Sequence, residues 1–451
     1  MKLKIKKFLP IVQESEIDLS KKMLVFVGKN NAGKTYVSKL IWSIYNIDDI
    51  ILHKGKINIF TNKNKEKNEW EIDLREISKN IQNVYNKNLQ KFLKKIFKSK
   101  EIDAVVIFED KDWQKFRLNA KFENPIYKVE LKKDLESFNI KIKLEKKADV
   151  NIKGIDDLDF LNIIEENSYN RMNEFIYYVI IKSLLNINTT YLPESRLLLP
   201  KFYKNLLISQ KQKIKELLDF EIFLKKERLK KSLAFESDII EDTIIDKMVL
   251  ELDEEQKNDY IFMIEKIIEG KIKVKKNDEI GFSYFVYDNG DTELTLERSS
   301  SMVNQLTLLY LYFKYWYKRK KENFLIIDEP EMNLHPEKKV DLIEFLMFFA
   351  SKNKLLITTH SNTMAKVIMN YIDLLNLKEI NKECYNKLIE EYELKDLDLK
   401  SGEIGVYYFN GTTIIPYKED KESIHFGTFT EVEKRLNEIY WAIDEYKEEN
   451  E

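Results

Sequence analysis

Glycine and proline are scarce in this 451-residue chain, at 11 and 7 residues, well below average usages of roughly 7% and 5%. That excludes collagen-like, linker-rich and low-complexity classes, and places each remaining Gly and Pro where the backbone has a reason for it. A single cysteine, Cys384, excludes an internal disulfide and a Cys-cluster metal site, so a reducing cytoplasm is the expected setting. Arginine is nearly absent: eight of the 75 basic residues are Arg. No excess of one sign exists either, since 77 acidic residues leave a net charge of −2, so no global basic surplus announces nucleic acid. Long apolar runs are missing too. The strongest, Phe175 to Ile181, is too short for a membrane span, and MKLKIKKFLP lacks the apolar core of a signal peptide.

What remains is a charged, globular composition, 43% hydrophobic and 34% charged, long enough for two or three domain-sized units. Met23 to Val27 (MLVFV) reads as a strand buried on both faces, followed by a Gly-containing turn and a helical pattern through Ile44. The spacing predicts a Lys-rich helix over 74–98. Ala104 to Phe108, Phe116 to Phe122, Tyr127 to Leu131 and Ile140 to Leu144 read as an antiparallel meander. An amphipathic helix is expected from Asp159 to Leu185, a strand at Thr189 to Leu192, and a mostly helical, highly charged stretch at 201–268. A hairpin is expected across Phe282 to Leu296, turning at Asp288-Asn289-Gly290-Asp291. A helix over Met302 to Lys318 follows. Strands at Phe324 to Ile327 and Leu355 to Thr358, with helices at 336–350 and 361–373, argue a wound, parallel α/β sheet. Two strands near 404–416 and a terminal helix near 429–447 close the chain.

Three segments carry chemistry. Gly28-Lys29-Asn30-Asn31-Ala32-Gly33-Lys34-Thr35 fits G-x-x-x-x-G-K-[ST] between a strand and a helix. The glycines let backbone N–H groups wrap phosphate oxygens, the helix N-terminus adds positive charge, Lys34 reaches the β- and γ-phosphates, and the Thr35 hydroxyl takes Mg²⁺. Phe324-Leu-Ile-Ile-Asp328-Glu329-Pro330 delivers two carboxylates to a strand end: Asp328 for Mg²⁺, through its water, and Glu329 to polarise the attacking water. Leu355-Leu-Ile-Thr-Thr359-His360-Ser361 ends a second strand in a polar cluster. There His360, one of four histidines, is placed to contact the γ-phosphate or that water.

In this order the three resemble the ABC-type ATPases of the SMC/RecF/OLD branch, with OLD-like and RecF-like members closest. The pair Asn30 and Asn31 and the run Asp328-Glu329-Pro330-Glu331-Met332-Asn333-Leu334-His335-Pro336 carry the resemblance, together with Leu192-Pro193-Glu194-Ser195-Arg196 ahead of the helical stretch. It covers residues 1–45, roughly 188–200 and 290–365. The resemblance implies an ABC-type P-loop head, with Walker A and the meander in 1–200, a helical insertion at 201–270 and the remainder of the head in 271–451. It implies ATP and Mg²⁺ as ligands, and a D-loop at Asn333 to His335 that crosses a dimer interface.

The signature segment departs from the pattern. Arg298-Ser299-Ser300-Ser301-Met302 puts Ser301 where relatives place a glycine. Ser299, Ser300 and Ser301 are taken as contacts to a γ-phosphate from a second subunit, or else as an N-capped helix start. Gln82 and Gln90 are candidates for a Q-loop glutamine. Lys91 to Lys100 and Lys225 to Lys231 read as phosphate-binding stretches or as solvated helix faces. Asp396-Leu397-Asp398 is not read as a TOPRIM nuclease pair, because it ends no apolar strand and too little chain follows.

The expectation is a cytoplasmic Mg²⁺-dependent ATP hydrolase that acts as a homodimer or higher homo-oligomer. It would work with a separate effector, a nuclease or toxin, as ATPase subunits of anti-phage systems such as PARIS and Septu do. The alternative is a RecF-type repair or chromosome-maintenance ATPase that binds DNA directly. A non-hydrolysing scaffold fits less well with Lys34, Asp328 and Glu329 all present.

Overall fold

Six consecutive buried residues, Met23–Gly28, form the strand on which the candidate site is built. The structure is a computed structural model; it describes residues 1–45, 69–99, 101–123, 127–146, 158–194, 258–277, 282–319, 321–417 and 438–439. Of the expected features, residues 201–257 of the helical insertion, Ser195 and Arg196, Lys225 to Lys231 and nearly all of the terminal helix lie outside the described residues.

In chain order the strands are β1 (Lys2–Lys7), β2 (Ser15–Asp18), β3 (Met23–Gly28), β4 (Glu69–Asp73), β5 (Asp103–Ile107), β6 (Leu118–Glu123), β7 (Tyr127–Lys133), β8 (Asn139–Lys146), β9 (Asn188–Leu192), β10 (Lys271–Asn277), β11 (Phe282–Asp288), β12 (Glu293–Thr295), β13 (Asn323–Asp328), β14 (Lys354–Thr359), β15 (Ile404–Phe409) and β16 (Ile414–Pro416). Among the described residues the helices are α1 (Lys34–Tyr45), α2 (Leu74–Ile96), α3 (Asp110–Gln114), α4 (Leu158–Leu184), α5 (Asp259–Ile268), α6 (Ser301–Leu311), α7 (Pro336–Lys352), α8 (Asn362–Ile380) and α9 (Lys382–Glu391).

Two compact units interleave in the sequence: Met1–Ser20 with Lys39–Ile187, and Lys21–Ser38 with Asn188–Glu451. The first holds two antiparallel sheets, ordered β2-β1-β5 and β4-β8-β7-β6. The meander therefore differs from the sequence expectation. β5 leaves it to pair with β1, a hundred residues upstream, and β4 joins β8 instead. Charged turns flank all these strands alike, so nothing local distinguishes the partner.

The outer edge of β5 is closed by amide side chains of α2. Asn86 donates to the Val106 carbonyl (2.9 Å) and accepts from its N–H (2.7 Å), and Phe108 N–H donates to the Gln82 carboxamide oxygen (2.8 Å). Covering an edge in this way removes a template for unwanted strand pairing. Gln82, a Q-loop candidate, is thus occupied as a strand-edge partner.

The second unit holds a six-stranded sheet ordered β16-β15-β3-β14-β13-β9, parallel throughout except for β16. Its central strands are buried on both faces, which is why they read as unbroken apolar runs. A smaller antiparallel sheet, β10-β11-β12, carries the expected hairpin turn. Past Leu311 the helix α6 becomes a π turn, Tyr312–Trp316, within a ring cluster that includes Tyr260 of α5, 5.0 Å from Phe313 and 5.3 Å from Tyr317. The helical run thus reaches Trp316, close to the expected end at Lys318, with its last turn wound as a π turn among these rings.

Candidate nucleotide site

β3, β14 and β13 lie side by side and parallel, so their C-terminal ends share one edge of the sheet. Gly28 ends β3, Asp328 ends β13 and Thr359 ends β14. Each motif singled out in the sequence starts at one of these ends. Ligands of open α/β sheets gather at this edge, because the strands point their last residues there.

The loop after β3 is glycine-dependent by close approach: a Cβ on Gly28 would meet the Phe409 carbonyl oxygen at 2.4 Å. Asn31 and Gly33 take positive φ, 62° and 98°, values that Asn tolerates and Gly adopts freely. Lys29, Asn30 and Asn31 are exposed, whereas Ala32, Gly33 and Lys34 are buried and Thr35 is half-buried. Lys34 Nζ donates to the Gly28 and Lys29 carbonyls (2.8 and 2.9 Å), closing the loop around its own ammonium. Burial lowers the Lys34 pKa, while the charges of Glu329, Asp328, Glu331 and Glu194 push it back up. Four carboxylates thus act on one lysine.

Asp328 is fully buried and takes three hydroxyl donors. Ser38 Oγ and Thr358 Oγ1 each donate to Oδ1 at 3.0 Å, and the Tyr191 hydroxyl donates to Oδ2. None of the three was singled out from the sequence. They sit on α1, β9 and β14, and meet because Leu192 pairs with Ile327 and Thr358 with Asp328 in the sheet register.

The donor chemistry fits Mg²⁺: hard oxygens from a carboxylate and a hydroxyl at a helix start, and a surplus of nearby negative charge. Among the described residues no cluster of three or more His, Cys, Asp or Glu side chains is arranged to hold a metal. An ion here would draw most of its ligands from phosphate and water, as Mg²⁺ commonly does. Asp328 and Thr35 would hold it.

Glu329 has φ +46°, a left-handed conformation that costs a non-glycine residue about 1–3 kcal/mol. Its N–H donates to both the carbonyl and the hydroxyl of Thr358, at 3.0 and 3.1 Å. His360 Nδ1 lies 3.0 Å from Glu329 Oε2. This is an ion-pair separation without an aligned hydrogen bond, because Nδ1 has no partner of good geometry. Contact with Glu329 raises the His360 pKa above its ordinary value.

Beyond Glu329 the chain makes two successive turns, Met332 N–H to Glu329 O and Leu334 N–H to Glu331 O, with Asn333 exposed at φ +59°. His335 caps α7, with Pro336 in the first helical turn. In the serine segment Ser300 is the N-cap of α6, accepting from Val303 N–H at 3.3 Å. Ser299 donates to the Thr295 carbonyl, and Ser301 opens the helix. Ser301 is therefore helical, at the position where the resemblance leads one to expect a glycine. The buried Asn304 fastens the turn, donating to the carbonyls of Leu296, Ser299 and Ser300. Ser300 and Ser301 are exposed.

Asp396 pairs with Lys378 and the Tyr385 hydroxyl, both at 2.6 Å, while the buried neighbours Leu397 and Leu399 anchor its loop. Among the described residues no helix is long and apolar enough to cross a membrane.

No curated protein matches this chain. Among solved structures it is similar to an SMC head bound to the C-winged helix domain of ScpA (12% identity, covering 93% of this chain and 98% of that one, TM-score 0.36). It is also similar to an SMC head domain with an extended coiled coil, bound to the ScpA C-terminal domain, from Pyrococcus furiosus (13%, 97% and 98%, TM-score 0.33). A third is the SMC head domain from Thermotoga maritima (10%, 92% and 98%, TM-score 0.31). The model of the AAA ATPase domain matches residues 1–365, which takes in the loop at Gly28 to Thr35, the carboxylate pair at Asp328 and Glu329, and His360; the chain belongs to the AAA ATPase domain family.

Proposed function

We propose that this chain is a Mg²⁺-dependent ATP hydrolase. The observation that carries the reading is the shared sheet edge at which Lys34, Asp328 and the Glu329–His360 pair stand on three adjacent parallel strands or their loops. Gly28 to Thr35 bind the triphosphate, with Lys34 neutralising the β- and γ-phosphates. Thr35 and Asp328 would hold Mg²⁺, which when bound would supply charge neutralisation at the transferring phosphoryl group. Glu329 takes the proton of the attacking water, and His360 orients that water or the γ-phosphate. The work is electrostatic clamping and water positioning rather than covalent chemistry. Phosphate release from ATP, slowed about 10²- to 10⁴-fold in Glu329→Gln while nucleotide binding persists, tests it.

Two heads sandwich the nucleotide in this reading. Exposed Ser300 and Ser301 and the exposed, left-handed Asn333 present polar groups to a second copy. In vivo the ATP state governs a separate effector, a nuclease or toxin, in anti-phage defence. Support for this comes from the resemblance carried by Asp328 to Pro336. Co-purification of the neighbouring gene product, with and without ATP, tests it.

One observation favours direct DNA binding as a second reading. Lys79, Lys87, Lys91, Lys94 and Lys95 are all exposed on α2, and no Asp or Glu occurs between Glu76 and Glu101. The apolar face of α2 is buried, and the outer face beyond Glu76 carries lysines beside the uncharged, exposed Asn80 and Asn83, a basic face suited to a phosphate backbone. Duplex DNA that stimulates ATP hydrolysis, with affinity falling steeply with salt, supports this reading. Absence of binding at 50 mM salt removes it.

A further inference from the structure

One buried carboxylate at the sheet edge has no part in the assignments above. Glu331 is 2% exposed, two residues beyond Glu329. Its Oε1 accepts from the Thr359 hydroxyl, and its Oε2 is buried without a hydrogen-bond partner among the described residues. Thr359 Oγ1 in turn accepts from the Ser361 N–H at 2.9 Å. Ser361 caps α8, accepting from Met364 N–H, and its carbonyl receives Ala365 N–H at 3.1 Å. A chain of bonds therefore runs from the loop after β13, through the last residue of β14, to the first turn of α8. His360 is the residue in the middle of that chain, fastened on both sides through Thr359 and Ser361.

We propose that Glu331 is a positioning residue for ATP hydrolysis: by holding Thr359, and through it Ser361, it fixes the backbone on either side of His360 and so keeps the imidazole against Glu329. The proposal rests on the reading of Glu329 and His360 given above.

Burying a carboxyl group is costly unless its partners repay it, and half of this one is unrepaid. Burial raises the Glu331 pKa, the Thr359 hydroxyl opposes the rise, and the charge of Glu329 adds to it. A leucine would fill the same space without that cost, so retention of an acid points to the bond it makes. The need for such a bond follows from the surroundings. His360 is 43% exposed, and its loop leaves β14 at the point where the ladder with β13 ends. Without a tether, an exposed side chain on a loop explores several rotamers. Catalytic constellations need placement within about 0.5 Å, which supporting hydrogen bonds supply.

The test is steady-state and single-turnover ATP hydrolysis by Glu331→Ala, Glu331→Gln and Thr359→Val, beside nucleotide affinity by calorimetry. Loss of supporting groups of this kind costs about 10- to 100-fold in activity. Glu331→Ala and Thr359→Val should lower kcat by that factor with ATP Kd within about threefold of wild type, as expected when only transition-state placement is lost. Glu331→Gln keeps an acceptor oxygen for Thr359 and should restore most of kcat. Glu331→Ala combined with His360→Ala should be no slower than His360→Ala alone, because both act through one imidazole. Thr359→Val removes a single hydroxyl and tests the chain of bonds even where Glu331→Ala does not fold. Wild-type kcat in Thr359→Val beside a slow Glu329→Gln overturns the proposal alone. Multiplying effects of Glu331→Ala and His360→Ala overturn it too. Wild-type hydrolysis by Glu329→Gln overturns the reading of the site, and this proposal with it.

Discussion

The imidazole of His360 stands 3.0 Å from the carboxylate of Glu329, a contact made between the ends of two adjacent parallel strands. Neither residue is free to drift: Glu329 is pinned by a double contact from its N–H to Thr358, and His360 lies between Thr359 and Ser361. The consequence is measurable. His360 should titrate above about 6.5, and Glu329→Gln should bring its pKa back down. Because the folded-state value is raised, the pair contributes stability that is present below about pH 6.5 and lost as pH rises through the raised pKa. The melting-temperature gap between wild type and His360→Ala should narrow from pH 6 to pH 9. NMR titration of His360 at or below 6.5 in the wild type contradicts the contact.

Glu329→Gln should bind ATP and hydrolyse it about 10²- to 10⁴-fold more slowly, the range for loss of a general base. Single-turnover kinetics separate this from slow product release. A rate within about threefold of wild type removes Glu329 from the chemistry.

Lys34→Ala should lose nucleotide affinity rather than turnover of bound ATP. The ammonium now bonded to the Gly28 and Lys29 carbonyls is the charge-assisted partner of the β- and γ-phosphates. Unchanged ATP binding by calorimetry would refute the role.

Tyr191→Phe deletes a hydroxyl donor to the buried Asp328 carboxylate and keeps the ring. Hydrogen bonds to charged groups are worth about 1.5–3 kcal/mol, so the variant should be less stable by about that amount in denaturant unfolding. An unshifted midpoint shows that the bond carries no net stability.

ATP should favour self-association, and Glu329→Gln should accumulate the associated form. The exposed Ser300 and Asn333 supply the surface for it. Light scattering reads the mass, and a cross-link from Ser300 to the opposite subunit's P-loop distinguishes engaged heads from a constitutive dimer. No cross-link under any nucleotide condition ends the sandwich model.

The strands carrying the site were legible in the sequence because burial on both faces writes continuous apolar runs, as in Met23–Gly28 and Asn323–Asp328. Polar residues at their ends then stand out. The donors to Asp328 were not legible: Ser38, Tyr191 and Thr358 are scattered over 320 residues and meet only through sheet register and α1. Pairing of β5 with β1 rather than with the meander was hidden for the same reason. The helix expected at 361–373 runs on to Ile380, and α9 after it was not expected at all; Asn381 ends one helix and caps the next.

β15 has a consequence for how much chain the site needs. Ile404–Phe409 runs parallel along the whole of β3, and the Phe409 carbonyl oxygen closes against Gly28. These residues lie outside the 1–365 segment that carries the family match. A chain ended at residue 365 would keep every motif residue, yet it would turn the strand that bears the phosphate loop from an interior strand into an apolar, unpaired edge. Such edges recruit other chains. The shortened protein should aggregate rather than hydrolyse ATP more weakly, and a separately supplied strand matching Ile404–Phe409 would act as its solubiliser.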